Sequence, residues 1–519
     1  MSKSLLYNTE ARKKLQAGVN KVADAVKITL GPKGRVVVIK RATPIFTLDG
    51  VTVAQAIEKL EDPVEDYGAD IVKGVATTTN DEAGDGTTTA TILVQALLNE
   101  GLKGIEQGID PIIMRNALND GMKIVLDNLK RNTTAVTTKE QMKAVATISS
   151  RDPEVGGIIA DIYAKIGKDG VITSEEMKQV GMDYEIVEGM ELESGFAAPH
   201  FQTNMERQVA EIKNPYILVT SQNIRSNGDI VPLLNTLLSS TDSKALVIIA
   251  EDCVGEALAT LIVNKLRGVA QTLVIKAPGY GDSKKEYLQD ICAITGATHI
   301  TEETGTRVED VTLEQLGRAD KVIAYKNKSI IVGGRGKKAD IKERIAQVMN
   351  EIKDTASKYK KETLAKRLAK LKGGVSVIRV GEYTEEASRE KQYRIEDAVN
   401  STRSAIEEGV VIGGGMALYN ASKELDKIID KEKDPDHRFG LIALQKAIQR
   451  PAYQILENAG RNPEAVMAVG YNLADDIIDP FKVERVALQQ AVSVVGLLLL
   501  TEAVVFETVE PKPDAKPLK

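Results

Sequence analysis

At 519 residues, with 68 basic and 74 acidic side chains, a formal charge of −6 and a pI near 5.6, the chain exceeds what one hydrophobic core supports and carries no basic excess of the kind that neutralises nucleic-acid phosphates. Two cysteines, Cys253 and Cys292, are too few for a disulfide framework or a zinc site and fit a reducing cytosol, and His200, His299 and His437 show no ligand spacing. The first residues lack the apolar stretch of a signal peptide, and the apolar run 491–506 is broken by Thr501 and Glu502 and too short to span a bilayer, so a buried helix and no membrane partner are expected there.

In chain order, Asn8 stands before a helical pattern with apolar positions Leu15, Val19, Val22, Ala23 and Val26, stopped by Gly31 and Pro32. The segment 30–34 then offers backbone N–H groups near a helix end, as a wall for an anion or as a plain turn. Two short β-rich runs, 36–39 and 45–47, predict a hairpin. Helical patterns fill 51–131 and return over 394–503. Between them, 189–374 mixes strand-like runs (216–219, 245–250, 271–275, 329–332) with helices, which predicts a separate α/β domain inserted into a helical one. Within it, Ile341, Ile345, Val348, Ile352, Tyr359, Leu364, Leu368 and Leu371 mark a helical hairpin or a bent helix with a solvated charged face. Gly189 and the pair Gly373–Gly374 bracket the insert, either as hinges or as ordinary loop residues. The polar tail 510–519 has the composition of a disordered segment.

The stretch 83–91, AGDGTTTAT, sets two glycines, one carboxylate and three hydroxyls directly before an apolar-periodic helix. Gly84 and Gly86 permit close backbone approach to an anion, Asp85 can hold a hard cation, and Thr87, Thr88 and Thr89 bring hydroxyls and N–H groups to a helix N-terminus. The combination points to triphosphate chemistry; a capped helix start behind a flexible loop is the other reading.

Taken with TLGPKGR (29–35), DGVTVA (49–54), EALATLIVN (256–264), KAPGYGD (276–282) and EDAVNSTRSAIEEGVVIGGG (396–415), this string makes the chain resemble a group I chaperonin of the GroEL type, in order over nearly its whole length. The resemblance implies a mixed α and α/β fold: a mostly helical equatorial ATP-binding domain (1–131 and 408–519), a small intermediate hinge domain (132–188 and 375–407), and an inserted α/β apical domain (189–374) that binds polypeptide. It implies that Thr29, Leu30, Gly31 and Pro32 line the nucleotide, that Asp85 holds Mg²⁺, and that Gly86, Thr87, Thr88 and Thr89 wrap the phosphates. Gly414 would lie against the ribose or base, with Asp479 the surviving match in a segment shortened after Gly470, where Asn472 and Ala474 are weaker matches. Asp397 matches the carboxylate that orients or deprotonates water at the γ-phosphate, and Asp49 a second acid near that water. K⁺ is a further candidate ion.

By the same resemblance Phe196, Phe201, Val231, Leu234, Leu258, Ile262 and Val263 form an exposed apolar apical surface for non-native polypeptides and a small GroES-type co-chaperonin. Read from the residues alone, they would be core. The hairpin 36–47 and the run 503–509 match edges shared between neighbouring subunits of a homo-oligomeric, heptameric ring, single or double, in the cytoplasm. Departures from the family pattern are Leu48 in place of a lysine, Tyr453 and Asn462 at positions used for ring-to-ring contact, and His200 on the apical rim. Leu48 and the shortened segment after Gly470 leave a second reading beside the ATPase: a nucleotide-gated holdase or assembly scaffold with little turnover.

Overall fold

The computed structural model describes residues 2–41, 44–168, 170–205, 207–240, 243–279, 281–355, 357–471 and 477–508. Asn472, Ala474 and the tail 510–519 lie outside the described residues. The chain folds into two compact units, Met1–Asp161 with Glu382–Lys519, and Ile162–Gly381.

The first unit opens with β1 (Ser2–Tyr7) and α1 (Asn8–Val26), and a 3-10 turn, Lys27–Thr29, ends the helix. The antiparallel hairpin β2 (Val37–Ile39) and β3 (Ile45–Thr47) follows in the expected place, pairing Val37 with Thr47 and Ile39 with Ile45. Five helices come next: α2 (Gly50–Ala56), α3 (Pro63–Ala83), α4 (Thr87–Glu106), α5 (Pro111–Arg131) and α6 (Lys139–Ser150). Asp62 and Asp110, each directly before a proline, cap α3 and α5 by accepting from the second and third backbone N–H groups of the helix, and this carboxylate-then-proline device fixes both starts. Helix α7 (Pro153–Ile166) runs across the first boundary.

The second unit holds two sheets. In the smaller, β4 (Val171–Glu176) and β5 (Gly181–Val187) flank a later strand. The larger, eight-stranded sheet contains β6 (Gly189–Leu192), β7 (Ala210–Lys213) and β8 (Tyr216–Thr220). A short β9 (Asn223–Ile224) leads to α8 (Asn227–Ser240) and β10 (Ala245–Ala250); β11 (Asp252–Cys253) leads to α9 (Gly255–Leu266), β12 (Gln271–Lys276), α10 (Asp282–Thr295) and β13 (His299–Ile300). Strands β8, β10 and β12 are parallel neighbours, and all six residues of β10 are buried, which is why ALVIIA reads as a continuous apolar run rather than an alternating one. Antiparallel β14 (Gly317–Ala324) and β15 (Ser329–Gly334) extend the sheet to β6.

The charged stretch resolves as two packed helices, α11 (Lys338–Asp354) and α12 (Lys358–Gly373), so the hairpin is the correct alternative. They attach to α10 through a buried charge network: Arg367 binds Asp290 at 2.8 Å and Glu286, and Arg344 binds Asp290 at 2.6 Å. Strand β16 (Val375–Gly381), parallel to β4 and antiparallel to β5, closes the smaller sheet. Gly189 and Gly374 both lie inside this unit; the expected intermediate segment divides, 162–188 and 375–381 falling here and 132–161 and 382–407 in the first unit.

The chain returns to the first unit with α13 (Glu385–Glu408), β17 (Val410–Ile412), α14 (Met416–Ser422), α15 (Asp426–Ile429), α16 (Pro435–Asn458), α17 (Pro463–Ala468), β18 (Ile478–Pro480) and α18 (Phe481–Leu499). Helices α1, α3, α4, α5, α16 and α18 share one apolar core that includes Leu15, Val72, Leu93, Leu118, Leu444 and Val492. The apolar run expected to be one buried helix is helical only to Leu499 and then becomes β19 (Ala503–Thr508). That strand pairs antiparallel with β1 from Ser2 against Thr508 to Tyr7 against Ala503, and β1 itself had no sequence signal strong enough to separate it from the helix.

Candidate functional site

The loop 84–86 connects α3 to α4 through two left-handed glycines, Gly84 (φ 71°) and Gly86 (φ 81°). At Gly84 a Cβ would overlap Asn400 of α13, so the glycine is required both by conformation and by close approach. Unlike α3 and α5, α4 has no side-chain cap: Gly86 occupies the cap position and offers none. The N–H groups of a 20-residue helix therefore point out of its first turn without a side-chain acceptor, where the helix macrodipole favours an anion.

This helix start opens onto a cavity of about 600 Å³, within the range of nucleotide-sized sites, lined wholly by the first unit. Its lining gathers every nucleotide-site residue expected from the sequence: Thr29, Leu30, Gly31 and Pro32; Asp49; Asp85, Gly86, Thr87, Thr88 and Thr89; Asp397; Gly414; and Asp479. Thr29 and Thr88 hydroxyls lie 3.4 Å apart, joining the 29–32 turn to the threonine run. Gly50 packs against the Thr87 and Thr88 hydroxyls, leaving no room for a Cβ.

Asp85 is held by three donors: Gly86 N at 2.6 Å, Ser149 Oγ at 3.3 Å and Ser401 Oγ. Ser401 is one helical turn beyond Asp397 on α13, so the two share a face and Asp397 reaches the same cavity as the 84–89 loop. Asp49 acts as the N-cap of α2, accepting from Val51 N at 3.1 Å and from Thr52 N at 2.9 Å and Thr52 Oγ1 at 2.5 Å. Its carboxylate is thereby fixed in orientation; Oδ2 already accepts twice, and Oδ1 retains a second acceptor direction. Asp479 accepts from Gly414 N at 2.9 Å, which ties β18 to the glycine turn after β17 and accounts for the proximity of two residues 65 apart.

Among the described residues, six carboxylates line the cavity, Asp49, Asp85, Glu390, Asp397, Asp479 and Glu484, against two cations, Arg151 and Arg394. Burial raises the pKa of Asp85 despite its three donors, and pushes Asp479 up to about 6 and Glu484 up to about 8, with the neighbouring carboxylates adding to the rise. Glu484, only 4% exposed, has a buried Oε2 without a hydrogen-bond partner, and so does the Thr147 hydroxyl in the same lining. Asp85 fits a magnesium ion held by one carboxylate with the rest of its shell from phosphate and water, because no group of three or more acidic, histidine or cysteine ligands exists among the described residues. Ser149, Arg151, Arg394, Ser401 and Glu484 were not singled out by sequence; four are ordinary polar residues on helices and Arg151 ends α6, and only the fold brings them to the cavity that the 84–89 loop lines.

In the second unit, α8 and α9 present the expected apolar residues unevenly. Val231, Leu258 and Ile262 are half-buried, Phe196 is half-buried where it bridges to Ile275, and Val263 is 42% exposed. Phe201 and Leu234 correct the expectation of an exposed surface: at 0% and 4% exposure they belong to the core of this unit. Phe201 sits in a 3-10 turn, Pro199–Phe201, pinned to α9 by Lys265 Nζ donating to the carbonyls of His200 at 2.7 Å and Gln202 at 2.5 Å, which drives the ring inward. The exposed apolar residues that sequence reasoning missed are Leu266 at 66%, with Val254 and Val269 at either side of α9.

No helix among the described residues is long and apolar enough to cross a membrane. A family model described as the TCP-1/cpn60 chaperonin family matches residues 22–508.

Proposed function

Because the chain belongs to the TCP-1/cpn60 chaperonin family, and so to a family of protein-folding chaperones with the mixed α and α/β chaperonin fold, we propose that it is an ATP-hydrolysing chaperonin of the group I type. The observation that carries the nucleotide part is the uncapped, glycine-started α4 facing a cavity in which Asp85 and the Asp397 face of α13 are joined through Ser401. Bound Mg²⁺ would supply charge neutralisation on the phosphates. Asp85 would hold that ion, Gly86 to Thr89 would donate to phosphate oxygens, and Thr29, Leu30, Gly31 and Pro32 would form the opposite wall. Asp397 would take the proton of the attacking water or orient it, with Asp49 fixed nearby by its capping bonds. Gly414 and Asp479 would meet the nucleoside end. K⁺ would serve as an additional ion.

Around this site the reading assigns equatorial, intermediate and apical domains to 1–131 with 408–519, 132–188 with 375–407, and 189–374. Phe196, Val231, Leu258, Ile262 and Val263 would contact non-native polypeptide and a GroES-type co-chaperonin, in a homo-oligomeric, heptameric ring, single or double, in the cytoplasm. One observation favours the holdase or scaffold reading instead: Leu48 contributes an apolar side chain to the phosphate cavity where a cation would assist turnover. Both readings are tested by light scattering of a chemically unfolded protein diluted into the purified chain. Suppressed aggregation, relieved on adding Mg²⁺–ATP and sustained by measurable turnover, supports the chaperonin ATPase. Suppression with nucleotide-triggered release but no turnover supports the holdase, and failure to suppress contradicts both.

A further inference from the structure

The cavity poses a charge problem that its phosphate loop alone does not solve. Six lining carboxylates would face a triphosphate, and a single magnesium ion offsets part of that repulsion. Among the described lining residues the only cations are Arg151 and Arg394, and they are used differently. Arg394 is already engaged: Nε lies 2.9 Å from Glu390 Oε1, and Nη1 donates to Ser150 O at 3.1 Å. Arg151 forms no ion pair among the described residues; its one hydrogen bond is from Nη2 to the carbonyl of Thr29 at 3.3 Å.

That bond places the guanidinium at the edge of the phosphate cradle, since the Thr29 hydroxyl is 3.4 Å from the Thr88 hydroxyl. Desolvation, then repulsion by Arg394, lowers the Arg151 pKa against the opposing charges of Glu390, Asp85 and Asp397, and the guanidinium stays protonated throughout the working range. The backbone is shaped for this position. Arg151 is one of four non-glycine residues with positive φ (56°) among the described residues, a left-handed conformation an L-residue adopts only when the surroundings hold it, and here it ends α6 and turns the side chain toward the cavity lining. Helix α6 packs on α13, and Arg394 of α13 bonds the carbonyl of Ser150, so Arg151 and Asp397 stand on one connected wall, which Ser149 and Ser401 tie to Asp85 of the glycine–threonine loop.

We infer that Arg151 is a phosphate-contacting cation of the nucleotide site, supplied by the turn after α6, that engages the terminal phosphate of a nucleoside triphosphate and thereby distinguishes it from the diphosphate. The inference rests on the proposed nucleotide-binding function and deepens it. A planar, always-charged fork on the wall that also carries Asp397 stabilises charge on the outer phosphate oxygens; on a diphosphate the same fork has no partner within its reach.

The test is equilibrium titration of ATP and ADP, with Mg²⁺, into the full-length protein and its Arg151→Ala and Arg151→Lys variants, together with single-turnover hydrolysis. Arg151→Ala is expected to weaken ATP about 30-fold while changing ADP by less than about 3-fold, and Arg151→Lys to recover a large part of the ATP loss but not the whole of it. Equal weakening of ATP and ADP overturns the inference, because it would mean that Arg151 only props the Thr29 turn. Unchanged ATP affinity and turnover in Arg151→Ala also overturns it. Wild-type protein that binds neither nucleotide overturns the nucleotide reading itself, an outcome separable from the other two because it appears before any substitution is made. Circular dichroism and assembly state, compared across the three proteins, exclude misfolding as the source of a loss.

Discussion

Glu484 should make the nucleotide-free protein lose stability as pH rises through neutrality, and Glu484→Gln should abolish that loss. The side chain lies in the first turn of α18, 4% exposed, with Oε2 unpartnered, and burial, then the charges of Asp479 and Asp85, push its pKa up to about 8 from an ordinary 4.5. Between those two values the folded protein keeps a proton that the unfolded chain has released. Its contribution is therefore fully present below about pH 4.5, falls as pH rises, and is gone above about pH 8. At about 1.4 kcal/mol per pH unit the whole window is worth on the order of 5 kcal/mol, and Asp479, itself raised to about 6, adds its own charge inside that window. Glutamine keeps the shape of the neutral acid and cannot ionise. Thermal unfolding in Mg²⁺-free, nucleotide-free buffer should show wild type and variant nearly equal at pH 5 and the variant several degrees more stable at pH 8.5. Parallel pH profiles, or a variant less stable at pH 8.5, would refute the assignment of a buried neutral carboxyl.

Gly84→Ala should destabilise the first unit by about 1–3 kcal/mol and weaken nucleotide binding, because φ is 71° and the added methyl meets Asn400. Gly74→Ala, within α3 and with open space around its Cβ, should instead stabilise by about 0.5–1 kcal/mol, so thermal melts of the pair separate steric from general glycine effects. Arg367→Met should cost the second unit about 1–3 kcal/mol by removing one of the two guanidinium groups paired with the fully buried Asp290 and leaving Arg344 as its remaining partner, while nucleotide affinity at the first unit stays within about twofold; urea unfolding followed with a nucleotide titration reads both.

Much of this arrangement was legible because it rests on local rules. The Gly84–Gly86 loop and the hairpin 36–47 declare themselves in consecutive residues, and the buried parallel strand 245–250 shows as an unbroken apolar run. Strand β1 did not, since its partner β19 is some 500 residues away and SKSLLY shows no alternation to set it apart from the adjoining helix. The same limit hid Ser401, Glu484 and Arg151. Ser401 and Glu484 sit on helices and Arg151 in the turn that ends α6, and what each of them meets depends on the packing of α13 against α6 and α18. Phe201 and Leu234 went the other way: the residues alone read as core, which is where they lie, and only the resemblance placed them on an exposed surface.

The central claim is that Asp397 on α13 and the 84–89 loop act on one nucleoside triphosphate. Mg²⁺-dependent ATP hydrolysis by wild type and Asp397→Ala, measured beside ATP binding to both, tests it most directly. Hydrolysis lost by about 100-fold or more in the variant, with ATP affinity retained, is the predicted result; undiminished hydrolysis, or hydrolysis and binding lost together, would contradict it.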